Sequence, residues 1–90
     1  MPAKVSRHWD HHVVEETRNY KNRMNSFMSD FIIPPSKKTV RTKHLEIVRQ
    51  ILDKYDCKYE RDLHLFIYGC LEIAYDRFER EQFGSEIRCL

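Results

Sequence analysis

Residues 65–75 of this 90-residue chain form an almost entirely apolar run, LFIYGCLEIAY, in which Glu72 is the only charged side chain. The run reads as helix, and a helix that is apolar nearly all round has to be covered on more than one side. A chain of this length buries only about 60–65% of the surface that its unfolded form exposes, so it has little other material for that cover. The run therefore predicts that another protein, or a second copy of this chain, covers part of the helix.

The composition indicates one soluble, helix-rich domain. Hydrophobic residues make up 41% of the chain and charged residues 33%, and there are only two glycines and three prolines. So few glycines argue against a turn-rich β fold. The start of the chain lacks the apolar core of a secretory signal, and the longest apolar run is too short to span a membrane, so we expect an intracellular protein that does not cross a membrane.

The first predicted helix covers about residues 8–31. Its apolar side chains recur at three-, four- or seven-residue spacing from Val13 through Tyr20, Met24, Phe27 and Phe31. Ser6 is the expected N-cap, and Asp10 suits the positive end of the helix dipole. Pro34 and Pro35 are expected to end the helical conformation, because a residue before proline is disfavoured in the α region.

Two further helices are predicted after the prolines. The pattern from His44 to Tyr55 repeats at three and four residues, and the last helix runs from about residue 60 to Phe83. Asp56 or a neighbour is the expected cap in the short turn between them, and Gly84 the expected C-terminal stop. Such a short connection predicts a helical hairpin.

These elements give an all-α fold, a three-helix bundle in which helices 2 and 3 form a hairpin and helix 1 is either docked on it or extended. The predicted organisation is an N-terminal amphipathic helix over 1–33, a basic, proline-containing linker over 34–42, the hairpin over 43–84 and a tail over 85–90.

No catalytic, cofactor or metal signature stands out. His8 and His12 are one helical turn apart, but a structural zinc site needs four converging ligands, so we expect no metal. Cys57 and Cys70 have His44 and His64 as conceivable bases, yet no arrangement in the sequence links them. The three cysteines contain no Cys-x-x-Cys spacing and are expected to be reduced thiols. We therefore expect no enzyme activity and no cofactor.

Surplus apolar helix surface carries the functional prediction: a small adaptor, regulator or assembly subunit that binds another protein or its own copy. The predicted contact residues are Tyr20, Met24, Phe27, Leu65, Tyr68 and Tyr75. Tyrosine, methionine and phenylalanine are favoured in protein interfaces, although a small core uses the same residue types.

The alternative function uses the basic segment. It contains four cationic side chains and no acid between residues 34 and 43: Lys37, Lys38, Arg41 and Lys43. Clustered Lys and Arg near a helix start can neutralise phosphates, which would suit a nucleic-acid-associated factor in transcription or replication. A solvated linker is the competing interpretation, because the rest of the chain is nearly neutral.

Overall fold

A computed structural model describes residues 9–87, with side chains described through residue 84. Three helices pack against each other pairwise: α1 (Asp10–Ser29), α2 (Lys37–Leu52) and α3 (Arg61–Ile87). The described range contains no strand, so the predicted all-α three-helix bundle is confirmed. None of these helices is long and apolar enough to cross a membrane.

Helix α1 begins later and ends earlier than predicted. Trp9 occupies the N-cap position without a capping side-chain hydrogen bond, and the predicted cap Ser6 lies outside the described residues. The helix closes where the amide of Asp30 bonds to the carbonyl of Phe27 at 3.2 Å. In the connection that follows, Ile32 is 101% exposed, because neither neighbouring helix reaches over it.

Helix α2 begins at Lys37, so the predicted linker over 34–42 is too long. Ser36 follows Pro35 in an extended conformation, and its hydroxyl accepts a hydrogen bond from the amide of Thr39 at 3.2 Å. This N-cap satisfies one of the amides that a helix start leaves free. The hydroxyl and basic residues that indicated a loop instead form the first turns of the helix.

The connection between α2 and α3 is fixed by Asp56. Its carboxylate accepts from the amide of Lys58 at 2.9 Å, and its carbonyl accepts from the amide of Glu60 at 2.8 Å. Asp56 therefore stabilises the turn rather than capping α3. At the far end, Gly84 does not stop the helix: Phe83 has non-helical angles of φ −124° and ψ 24°, and α3 continues across this kink to Ile87.

The core lies where the three helices meet, and each helix contributes a row of side chains spaced four residues apart. Such rows are the ridges by which packed helices interlock. The buried apolar residues are Tyr20, Met24, Val40, Ile47, Val48, Ile51, Leu63, Ile67, Leu71 and Tyr75. Helix α1 contacts both other helices, so of the two predicted placements it adopts the docked one.

Candidate interaction surface and the polar core

Half of the predicted contact residues lie inside the bundle. Tyr20 is 1% exposed, Met24 is fully buried and Tyr75 is 3% exposed, so these three side chains form the core. Phe27 is half-buried, with its ring 4.9 Å from that of Phe31. Of the predicted set, Leu65 and Tyr68 are the ones that the bundle leaves exposed.

Four large apolar side chains of α3 are exposed. Leu65 and Ile73 are each 64% exposed, Phe66 is 48% exposed and Tyr68 is 43% exposed. We call these four residues the α3 outer face. Large apolar side chains that are grouped on one helix face, rather than scattered singly, are typical of interaction surfaces.

At 100° per residue, Phe66 and Ile73 share one broad face of the helix with Ile67, which predicts that they face the core, but the structure places both outside. Leu71 and Tyr75 take the inner positions instead, in one row with Leu63 and Ile67. The apolar pattern alone could not separate these choices, because α3 is apolar in nearly every direction. A polar contact separates them: the side chain of Glu72 must reach His44 on α2.

A chain of hydrogen bonds crosses the core through His44. Its Nε2 lies 2.9 Å from Oε2 of Glu72, and its Nδ1 lies 2.6 Å from the hydroxyl of Tyr20. A carboxylate oxygen only accepts, so Nε2 donates to Glu72, and in the neutral imidazole Nδ1 accepts from the Tyr20 hydroxyl. One side chain from each helix is thereby joined in a single polar chain.

The histidine and the tyrosine of this chain are closed to solvent. His44 is fully buried, and its ring stacks on that of Tyr75 with centroids 4.2 Å apart. Burial, followed by the nearby Tyr75 and Glu72, raises the pKa of Tyr20 well above its ordinary value of 10.0. A carboxylate–imidazole–hydroxyl arrangement resembles a nucleophile relay, but here the hydroxyl is buried and its raised pKa favours the neutral form.

A second polar cluster surrounds Glu16 on α1, whose side chain is 5% exposed. Its carboxylate accepts from the Tyr55 hydroxyl at 2.8 Å and from Lys54 Nζ at 3.0 Å. Burial opposes ionisation, but the hydrogen bonds from Tyr55, Lys54 and Asn19 outweigh it and hold the pKa of Glu16 below its ordinary value. The cluster ties α1 to the end of α2, and every buried polar side-chain atom among the described residues has a partner.

The predicted basic segment is largely engaged within the fold. Lys37 lies 3.8 Å from Glu79, and Lys43 lies 3.3 Å from Glu46. The guanidinium of Arg41 sits 5.6 Å above the centre of the Tyr75 ring. The structure therefore spreads this segment along α2 and gives three of its four cations intramolecular partners.

Among the described residues, the thiols and histidines do not converge on one site. Cys57 is exposed and Cys70 is half-buried, and both are free. Both ring nitrogens of His44 are occupied, and Nε2 of His64 bonds to the carbonyl of Tyr55 at 2.9 Å. Within the described residues no group of three or more His, Cys, Asp or Glu side chains is arranged to hold a metal ion.

Comparison with known proteins adds no relative. No protein-family model, curated protein or solved structure matches this chain. The class that the fold defines is a small all-α bundle whose apolar core is crossed by a chain of hydrogen bonds and whose last helix exposes apolar side chains.

Proposed function

We propose that this protein is a small intracellular adaptor, regulator or assembly subunit that acts by binding another protein chain through the α3 outer face. The observation that carries the proposal is the exposure of Leu65, Phe66, Tyr68 and Ile73 on one helix while α1 and α2 cover only its opposite side. Hydrophobic burial is the main favourable term in protein association, and these four side chains offer it at one place.

The support for a binding surface also comes from the way α3 is held. Leu63, Ile67 and Leu71 anchor the inner row, and each is at most 2% exposed. A partner would therefore meet a helix that is already formed and fixed. Pre-formed surfaces lose less conformational entropy on binding, which favours recognition by a folded helix over recognition by a loop.

The test places a photo-crosslinking amino acid at position 65 or 73 of the full chain in its native cells. Leu45 on α2 supplies the matched control position, because its side chain is 48% exposed and lies on a different helix. Crosslinks to a discrete protein from positions 65 and 73 but not from 45 support the proposal. Equal crosslinking from all three positions, or none, contradicts it.

A paired substitution gives the second arm of the test. Leu65→Ser with Ile73→Ser should abolish the association, whereas Val14→Ser with Leu45→Ser should leave it intact. The four side chains are all at least 48% exposed, so helix content measured by circular dichroism should stay the same in both variants. Association that survives the α3 pair would place the binding surface elsewhere.

The second candidate function is nucleic-acid association through Lys37, Lys38, Arg41 and Lys43. It has weaker support, since Lys37 and Lys43 already pair with carboxylates and Arg41 with an aromatic ring. If it holds, replacing the four by Gln should weaken binding to all sequences and reduce its salt dependence. Binding that ignores both charge removal and salt would exclude this candidate.

A further inference from the structure

The connection between α1 and α2, residues 30–36, exposes three consecutive apolar side chains at one end of the bundle. Ile32 is fully exposed, Ile33 is 79% exposed and Phe31 is 39% exposed. Isoleucine and phenylalanine are among the residues that enter a hydrocarbon layer most readily. The residues that dominate protein interfaces are Trp, Tyr and Arg, and the connection contains none of them.

The connection is held in shape at both ends. The amide of Phe31 bonds to the carbonyl of Met28 at 3.2 Å, and the hydroxyl of Ser36 caps α2. Between these points, Pro34 and Pro35 have a fixed φ angle and no backbone N–H. A hydrocarbon layer cannot satisfy a free N–H group, so the two prolines lower the cost of bringing this segment to its edge.

Two lysines follow the apolar side chains at the start of α2. Lys37 comes four residues after Ile33, so even an extended chain holds it within about 14 Å. Its contact with Glu79 is long, at 3.8 Å, and its side chain is 46% exposed. Lys38 has no ion-pair partner among the described residues. Surface ion pairs contribute little to stability, so both cations remain available to anions outside the chain.

A groove beside the connection extends this basic surface. Its volume is about 350 Å³, and its lining consists of Phe27, Lys38, Thr39, Thr42, Lys43 and Glu46. Lys43 balances the charge of Glu46 at 3.3 Å, which leaves Lys38 as the excess positive charge of the groove. The ring of Phe27 lies 4.9 Å from that of Phe31 and 5.4 Å from Lys43 Nζ. Phe27 therefore joins the exposed apolar side chains to the basic groove.

We propose that the α1–α2 connection docks this protein on the surface of an anionic lipid bilayer. Ile32 and Ile33 enter the edge of the hydrocarbon layer, while Lys37, Lys38 and Lys43 contact the negative headgroups. A bilayer presents apolar chains beneath a layer of negative charge, and this end of the bundle presents apolar side chains ahead of cations. The contact does not cross the bilayer. It uses residues separate from the α3 outer face, so it goes beyond the proposed function and does not depend on it.

Two other occupants would make different demands on the same residues. A nucleic acid would engage the lysines through its phosphates but would gain nothing from Ile32 and Ile33. A protein partner would bind the isoleucines whether or not lipid is present. The effect of removing the isoleucines and the requirement for anionic lipid therefore separate the three occupants.

The first measurement is cosedimentation of the full chain with phosphatidylcholine vesicles that contain about 30% phosphatidylserine, the anionic lipid. We expect binding that falls as the salt concentration rises, and little binding to phosphatidylcholine alone. Ile32→Ser with Ile33→Ser should weaken binding at least about tenfold, because the apolar contact is lost. The matched control is Val14→Ser with Tyr59→Ser, whose side chains are 55% and 85% exposed at the opposite end of the bundle.

The control pair should bind anionic vesicles as the native chain does, and circular dichroism on both variants checks that the helices persist. A native chain that does not bind anionic vesicles overturns the proposal. So does an isoleucine variant that binds as tightly as the native chain, or a native chain that binds neutral vesicles equally well.

Charge removal tests the contribution of the lysines. Lys37→Gln with Lys38→Gln should weaken binding to anionic vesicles about 5- to 30-fold, since each cation near an anionic surface is worth about a factor of five. Lys58→Gln with Arg61→Gln makes the same change of charge at two exposed positions of the opposite end and should have little effect. Equal losses in the two variants would mean that net charge alone drives binding, and would overturn the assigned surface.

Fluorescence quenching tests insertion directly. Ile32→Trp in a Trp9→Phe chain should be quenched by anionic vesicles whose lipids carry bromine in the acyl chains, whereas Tyr59→Trp in the same chain should not. An unquenched tryptophan at position 32 overturns the proposal. If the chain ignores anionic vesicles but a photo-crosslinker at position 32 captures one protein, the connection binds protein instead of lipid. None of these outcomes bears on the α3 outer face, which is tested from positions 65 and 73.

Discussion

His44 Nε2 on α2 and Oε2 of Glu72 on α3 lie 2.9 Å apart, at the boundary between the core and solvent. The imidazole is fully buried, whereas the side chain of Glu72 is 34% exposed. On the other side of the same ring, Nδ1 accepts a hydrogen bond from the hydroxyl of Tyr20. A residue 28 positions away in the sequence thus completes a polar chain whose other end is enclosed by apolar side chains.

The hydrogen bonds that join Tyr20, His44 and Glu72 predict that mutations of these residues have non-additive effects on stability. Tyr20→Phe leaves Nδ1 of His44 without its donor, and His44→Phe leaves the buried Tyr20 hydroxyl without its acceptor. Each single change should lower the free energy of unfolding by about 1–3 kcal/mol, since a buried unpaired polar group carries its full desolvation cost. The double variant removes both polar groups and should be less destabilised than the sum of the two. Urea unfolding of all four proteins measures this coupling, and strictly additive losses would contradict it.

Glu16 predicts a loss of stability on acidification. Its pKa in the folded protein is below the ordinary value of 4.5, so the native state favours the charged form more than the unfolded state does. The resulting stabilisation is complete above pH 4.5 and is lost as the pH falls through the lowered folded pKa. Glu16→Gln should be less stable at neutral pH and should lose less on going from pH 5 to about pH 3. Thermal or urea unfolding measures stability against pH for the native protein and for Glu16→Gln, and the difference between the two curves gives the contribution of this carboxylate. Parallel curves would contradict the prediction.

Three of the five tyrosines are predicted to resist ionisation. Burial, together with nearby carboxylates, raises the pKa of Tyr20, Tyr55 and Tyr75 above the ordinary value of 10.0. Absorbance at 295 nm should therefore show fewer ionised tyrosines in the native protein than in urea at a pH just above 10. Because the folded state keeps these protons, stability should fall as the pH rises past that value. Tyr55→Phe should reduce the native-to-unfolded difference by one tyrosine, and an unchanged difference would contradict the assignment.

Gly69→Ala is predicted to stabilise the isolated monomer. The new methyl group meets nothing within 4 Å, and alanine is favoured over glycine in a helix interior by about 1 kcal/mol. Thermal unfolding at low protein concentration should show a rise in the midpoint. A fall would mean that the glycine is required within the chain itself.

The sequence predicts α2 better than the other helices. Its apolar repeat from His44 to Ile51 matches the buried residues, because one face is apolar and the other is clearly polar. The beginning of α2 was missed: the prolines and basic residues before it resemble a linker, and the cap formed by Ser36 is a single local contact.

The candidate surface was harder to predict, for a physical reason. Periodicity identifies a helix but cannot orient one that is apolar all round. The sequence therefore assigns Phe66 and Ile73 to the core and Tyr75 to the outer side, the reverse of what the structure shows. Tyr20 was predicted as a contact residue because the apolar face of α1 had no assigned partner. Once α1 docks, that same face becomes the core. What fixes the orientation is the long-range bonding of His44, which no local pattern contains.

Val40 and Val48 stand four residues before and after His44 on the same buried row of α2. If α2 slid by four residues, about 6 Å, a valine would replace the imidazole between α1 and α3 and the apolar packing would change little. The Tyr20 hydroxyl would then be buried without a partner, at a cost of about 1–3 kcal/mol. His44 therefore fixes the axial register of α2. The apolar ridges alone would tolerate several registers, but each register other than the native one leaves the Tyr20 hydroxyl without its partner.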